Sequence, residues 1–373
     1  MRSAEYIGSW DPASEIPGAF LDLPERVYKD FPGWIPEIKD SVRYMFSPLN
    51  KYFSVGKVWL GVNDDARLAG FIAPHQVIEG KLAAYFGYWE GHNNLEQHGK
   101  LFAAFEQWAK GHNAEVIYGP INFSTYGMYR IRTDSFSVKQ FIGEPYNPSY
   151  YPELLSALGY DICKRYGTSF VSNLENASQS NKQYVERLRE AIEKDYVIKP
   201  VTAEYWLENI EQLYHLSVEI FAANFAYTPI SLDDFKKACG KSFADKICQH
   251  SSVVAEAKHG KGEIAGVFLN FPDYSPLVNQ ASAGDVAPES VSFGEHAEIL
   301  ERPKTLLLKT AGVSEKHRGK HLYTYLFNLC TVLGAAHYEQ ALCCLFILDN
   351  PSRKAADRMT QDLRHYALYS KEL

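Results

Sequence analysis

Residues 305–330, TLLLKTAGVSEKHRGKHLYTYLFNLC, constrain the fold more than any other stretch of this chain. Thr305–Val313 is a short apolar run bounded by turn residues, which predicts a buried strand. From Leu322 the apolar residues recur at helical spacing, which predicts a helix to about Ala336. Between them lie Lys316, His317, Arg318, Gly319, Lys320 and His321. Gly319 lets backbone N–H groups come close to an anion. The helix N-terminus adds partial positive charge, and the cationic side chains add Coulomb attraction. This order fits a pyrophosphate site. It also fits a solvated basic turn, and a glycine turn alone does not decide between them.

The order of elements repeats along the chain. His98-Gly99-Lys100-Leu101 is expected to open a helix in the first half, as Arg318–Leu322 does in the second. Asn147-Pro148-Ser149 and Asn350-Pro351-Ser352 each stand about one strand and one loop further on. With 373 residues, two domains are expected. They are placed at 1–175 and 176–373, divided near Asn173–Gln183, whose Asn, Ser and Gln content reads as a linker. In the first half, Val58–Val62 and Leu68–Ile72 read as a hairpin about Asn63–Ala66, Leu82–Trp89 as a strand and Asn122–Gln140 as a long covering loop. In the second, helices are expected at Ala203–Asn224, Leu232–Ala238 and Arg353–Leu363. Strands are expected at Ser252–Ala257, Ile264–Asn270, Leu342–Leu348 and Tyr366–Ser370.

The net charge of -7 argues against a general nucleic-acid binder and against DNA as a partner. The six cysteines show no metal-ligand or disulfide spacing, so no metal is expected and a reducing cytoplasmic setting is. No apolar run suits a signal peptide or a membrane span. Cys343-Cys344 lies in a strongly apolar strand and reads as packing.

The 305–330 segment resembles motif A of the GCN5-related N-acetyltransferase (GNAT) family, in which a strand enters an Arg/Gln-x-x-Gly-x-Gly/Ala loop and a helix. The matching residues are Lys316-His317-Arg318-Gly319-Lys320-His321, with Lys316 in place of Arg or Gln and His321 in place of Gly or Ala. The first half resembles bacterial GNAT-like proteins through Gly119-Pro120-Ile121-Asn122-Phe123-Ser124 and Asn147-Pro148-Ser149-Tyr150-Tyr151…Leu158-Gly159-Tyr160. The resemblance implies a mixed α/β fold: two tandem GNAT-like domains, each with a mostly antiparallel central sheet flanked by helices. The first domain is expected to be degenerate, its pyrophosphate loop reduced to His98-Gly99-Lys100.

The resemblance further implies an acyltransferase, carrying an acetyl or other acyl group from acyl-CoA as co-substrate to the amine of a small molecule. It assigns cofactor binding to Val313, His317, Arg318, Gly319, Lys320, His321 and Asn350. Many family members use a tyrosine as general acid toward the leaving thiolate. That tyrosine is missing at Asp357, which leaves Tyr366 and Tyr369 as candidates, both of which also read as core strand residues, and Glu144 is a candidate base. Asp285, Glu289, His296 and Glu298 are further candidate bases. Arg132 and Asp134 are expected to tie down the covering loop. A transferase using aminoacyl-tRNA or an acyl carrier protein, and a non-catalytic binding protein, are the alternatives.

Overall fold

The computed structural model describes residues 5–260, 262–282, 286–349 and 362–373. It divides into two compact units: Met1–Arg165 with Asn279–Ala281 and His365–Leu373, and Tyr166–Val278 with Ser282–Arg364. The first half of the chain forms β1 (Tyr6–Ser9), α1 (Gly18–Val27), α2 (Lys39–Met45), β2 (Lys57–Val62), β3 (Ala66–Ile78), β4 (Lys81–Gly91), α3 (Leu95–Gly111), β5 (Val116–Gly119), β6 (Ile131–Arg132), α4 (Tyr151–Ala157) and β7 (Asp161–Val171). The second forms α5 (Leu174–Asp195), β8 (Tyr196–Pro200), α6 (Ala203–Glu208), α7 (Ile210–Phe221), α8 (Leu232–Ala238), α9 (Lys241–Ala244), β9 (Val253–Ala257), β10 (Ile264–Pro272), α10 (Ser275–Val278), α11 (Phe293–His296), β11 (Thr305–Val313), α12 (Leu322–Gly334), β12 (Gln340–Ile347) and β13 (Asp362–Glu372).

Within each unit the strand pairs are antiparallel except for one. In the first unit β1, β2, β3 and β4 are successive antiparallel neighbours, and β5 joins β4 in parallel. In the second, β8, β9, β10 and β11 are antiparallel neighbours, and β12 joins β11 in parallel. A parallel pair needs a crossover, and a helix supplies it each time: α3 between β4 and β5, α12 between β11 and β12. The α3 face that meets its sheet is His98, Leu101, Phe102, Phe105 and Ala109. The matching α12 face includes Leu322, Tyr325, Leu326 and Cys330. Both follow the three-to-four spacing of an amphipathic helix. Each unit has its own apolar cluster, around Phe86, Phe102 and Phe105 in the first and Phe268, Leu326 and Cys330 in the second.

The units are not the consecutive segments 1–175 and 176–373. Tyr166–Val171 of β7 pairs with β12 inside the second unit, and the end of β13 pairs with β5 inside the first. The Asn173–Gln183 stretch is not a linker but the first half of the 22-residue helix α5. Asn173 caps it by accepting from the Asn176 N–H at 2.8 Å, and Leu174, Ser178, Asn181 and Val185 form its buried stripe. The helix expected over Ala203–Asn224 breaks at Asn209, which ends α6 and precedes α7. The helix expected from Arg353 falls almost entirely outside the described residues. No helix among the described residues is long and apolar enough to cross a membrane.

Candidate functional site

In the second unit the parallel pair opens partway along. β11 and β12 are in register only from Thr305–Gln340 to Leu308–Cys343. Beyond that, Thr310–Val313 pair with β10 across a register shift, while Phe346 and Ile347 pair with β7. Leu345, with φ of 57°, turns β12 away, and its N–H donates to Thr168 Oγ1 at 3.0 Å. Among the described residues no strand covers the β12-facing edge of Thr310–Val313. An uncovered edge offers backbone donors and acceptors to an extended ligand.

The basic turn follows directly. The Ser314 N–H donates to Ala265 O, a short 3-10 turn covers Glu315–His317, and Gly319 adopts φ of 78° with open space where a Cβ would stand. His321 takes the left-handed conformation, φ 60°, at the N-cap of α12. Arg318, Gly319, Lys320 and His321 are all exposed. Among the described residues no carbonyl accepts from the N–H groups of Gly319, Lys320, His321 or Leu322. Backbone donors at a helix start, beside two or three cationic side chains, form an anion cradle.

The other assigned residues sit differently. Lys316 is paired with Glu263 at 2.5 Å. Val313 is buried at 5% exposure, and its carbonyl accepts from Arg318 Nε at 3.3 Å. His317 points into the protein: it is 6% exposed, and its Nδ1 lies 2.9 Å from the Tyr196 hydroxyl. Burial holds its pKa below the ordinary value, opposed by Glu263. It is a neutral strut under the turn, not a cation facing an anion, because desolvation disfavours the charged imidazole. Asn350 and Asp285 lie outside the described residues.

The first unit has the same opening, and its own chain fills it. β4 and β5 are in register from Ala83–Val116 to Tyr85–Tyr118. Past that point the Ile121 N–H donates to Phe86 O at 2.7 Å, and the Tyr88 N–H donates to Asn122 Oδ1 at 2.7 Å. Gly87 permits this approach, since a Cβ there would stand 2.5 Å from Ile121 O. The Gly119–Ser124 segment is thus a plug in the strand gap. His98-Gly99-Lys100 does not open a helix. α3 begins at Leu95, where the Asn94 side chain accepts from the Gln97 N–H at 3.3 Å. His98 is buried, with Nδ1 2.9 Å from Trp89 Nε1 and Nε2 2.9 Å from His92 O.

Glu144 and Tyr366 do meet, but inside the first unit. Glu144 is 0% exposed and Tyr366 1%. The Tyr366 hydroxyl donates to Glu144 Oε1, which also faces Arg132 Nη2 at 2.7 Å, while Oε2 accepts from the Phe141 N–H at 3.0 Å. Neither group reaches solvent and both carboxylate oxygens are engaged, so the pair is a buried strut and not an exposed acid and base. The expected Arg132–Asp134 interaction is also replaced. Arg132 pairs with Glu144, and Asp134 Oδ2 lies 2.6 Å from His365 Nδ1. Glu298 pairs with Lys304 at 3.2 Å. In β12, burial pushes the Cys343 thiol up to about 12, which agrees with packing.

One group escaped the sequence reading. Glu90 is the next-to-last residue of the apolar strand β4, and its Oε2 accepts from Tyr28 at 2.8 Å and from Tyr151 at 2.6 Å. Burial raises its pKa to about 7, opposed chiefly by Arg67. A lone carboxylate at the end of the run LAAYFGYW was the available signal.

No protein-family model matches the chain. It is 19% identical over 232 residues to Protein YghO of Escherichia coli K12, covering 58% of this chain and little more than half, 56%, of that protein. Among solved structures it is similar to a conserved Enterococcus faecalis V583 protein described as a probable N-acyltransferase. There the TM-score is 0.54 at 8% identity, covering 99% of this chain and 73% of that one. It is also similar to the GCN5-related glucosamine N-acetyltransferase region of a fungal multi-domain GH3 β-N-acetylglucosaminidase, with TM-score 0.51 and 12% identity. That match covers 100% of this chain and 38% of the fungal one. With the strand–helix–strand crossover found once in each unit, these likenesses give the conclusion that the chain is a tandem GNAT-fold protein.

Proposed function

We propose that the chain is an acyltransferase that moves an acetyl or other acyl group from acyl-CoA to the amine of a small molecule, with the donor held by the second unit. The observation that carries this reading is the contrast between the two strand gaps. The second unit's gap has an uncovered β11 edge leading to an exposed basic turn, whereas the first unit's gap is closed by Ile121 and Asn122. The β11 edge ending at Val313 suits the amide-bearing pantetheine arm. The amides of Gly319–His321, with Arg318, Lys320 and His321, suit the pyrophosphate.

The chemistry needs a neutral amine, which attacks the thioester carbonyl. The C–N bond forms, the C–S bond breaks, the thiolate takes up a proton and the amine nitrogen gives one up. A cytoplasmic setting, where acyl-CoA is at hand, goes with this reading.

Titration calorimetry with acetyl-CoA tests it. Binding is expected, with Gly319→Val weakening it roughly tenfold or more, since a β-branched residue is strained at φ of 78° and its side chain crowds the cradle. No binding of acetyl-CoA, longer acyl-CoAs or free CoA would move the donor to an aminoacyl-tRNA or carrier protein and end this assignment.

A further inference from the structure

The first unit contains a second set of chemistry-bearing residues that the donor reading does not use. Glu90 and Arg67 are cross-strand partners on β4 and β3. Arg67 is fully buried, with Nη2 at 2.7 Å from Glu37 Oε2 and Nη1 donating to Phe20 O at 2.8 Å. The Glu90 carboxylate is held from one side only. Tyr28 and Tyr151 both donate to Oε2, and among the described residues no donor reaches Oε1. The two tyrosines are locked by packing, Tyr28 stacked on Trp34 at 4.8 Å and Tyr151 against Trp89 at 4.4 Å. Tyr88, two residues before Glu90, has φ of 45°, and its ring lies among Phe20, Phe46, Phe71 and Phe123. Glu37, Tyr88 and Glu90 keep partial exposure.

The charges here do not balance. Two carboxylates, Glu37 and Glu90, act on one another, Glu37 acts on Tyr88 as well, and Arg67 is the cation that opposes them. A part-exposed cluster short of one positive charge favours a cationic ligand. An ammonium has three N–H donors, and Glu90 Oε1, the Tyr88 hydroxyl and Glu37 are acceptors for them. The surrounding aromatic faces also favour a cation, as the Arg67 guanidinium 4.8 Å over the Phe20 ring illustrates. An anion would meet two carboxylates. Among the described residues no cluster of His, Cys, Asp or Glu is arranged to hold a metal ion.

We infer that this part-exposed cluster of the first unit, formed by Glu37, Arg67, Tyr88 and Glu90, binds the primary ammonium of a small-molecule amine. The inference deepens the acyltransferase reading by placing the acceptor's charged group, and rests on that reading for the word acceptor. The binding itself does not.

Saturation-transfer NMR on the full chain tests it with putrescine, lysine amide and glucosamine at millimolar concentration and pH 8. At least one amine is expected to bind. Glu90→Gln should weaken it roughly tenfold or more, the loss of one charge pair. Tyr88→Phe should weaken it severalfold. Both variants should bind acetyl-CoA as the parent does, and Gly319→Val should bind the amine as the parent does, so the two readings fail separately. No binding by any of the three amines, or binding unchanged in Glu90→Gln, overturns the inference and leaves Glu90 as a structural staple between β4, α1 and α4.

Discussion

Replacing Glu144 by Ala should cost the first unit much of its stability and leave the basic turn of the second intact. Glu144 and Arg132 are both 0% exposed in their side chains. Arg132 also donates from Nη1 to Ser135 O at 3.1 Å and Val138 O at 2.6 Å, so its guanidinium cannot turn to solvent without giving up the loop it holds. Removing the carboxylate therefore leaves a buried cation uncompensated, at roughly 3–5 kcal/mol. At about 2–4 °C per kcal/mol for a unit of this size, the melting transition should fall by roughly 6–20 °C. Tyr366→Phe keeps the ion pair and removes one hydrogen bond to a charged acceptor, about 1.5–3 kcal/mol. Arg132→Met combined with Glu144→Leu should recover part of the loss, because neither charge then remains buried alone. Scanning calorimetry suits the measurement, since a chain of two units can melt in more than one step. Acetyl-CoA affinity of each variant is the control. A Glu144→Gln or Tyr366→Phe protein that melts with the parent yet loses acyl transfer would refute the structural reading and return these residues to the chemistry.

Asn122→Ala removes the acceptor for the Tyr88 N–H, and a part-buried donor left without a partner should cost about 1–3 kcal/mol, read as a lower melting temperature; an unchanged melting curve would mean that Asn122 does not close the first gap. Glu90 has its pKa raised from 4.5 to about 7, so the native state binds this proton more tightly than the unfolded chain. The stability it contributes is full below about 4.5 and is lost as pH rises through about 7. Glu90→Gln should therefore be more stable than the parent above pH 7 and show a flatter urea-midpoint profile between those values, and a parallel profile would refute the shift. His317 has its pKa lowered by burial, so its contribution is present above the ordinary histidine value and lost as pH falls through the lowered one. His317→Gln should flatten the acid side of the same profile.

Local patterning carried much of the fold. The bounds of β11, read from the apolar run Thr305–Val313, and the helix α8 at Leu232–Ala238 match the structure, because strand and helix periods are properties of neighbouring residues. The exposed part of the basic turn, Arg318–His321, was legible for the same reason: the strand, the glycine and the helix start are contiguous. The failures are informative. Asn173–Gln183 has the composition of a linker, but its buried positions recur at helical spacing against the second unit's core, and packing outweighs polar composition.

What the chain determined by itself is the repeated strand–helix–strand unit and the place of the basic turn Arg318–His321, since both depend on residues close in sequence. Tertiary structure decided the rest: that Tyr166–Val171 and His365–Leu373 belong to units on the far side of the expected boundary, that Asn122 reaches the β4 backbone, and that Glu144 and Tyr366 are sealed together, 222 residues apart. Sheet edges, plugs and buried ion pairs are made by partners distant along the chain. Burial, which sets whether a carboxylate or an imidazole is charged, is a property of those partners and not of the residue.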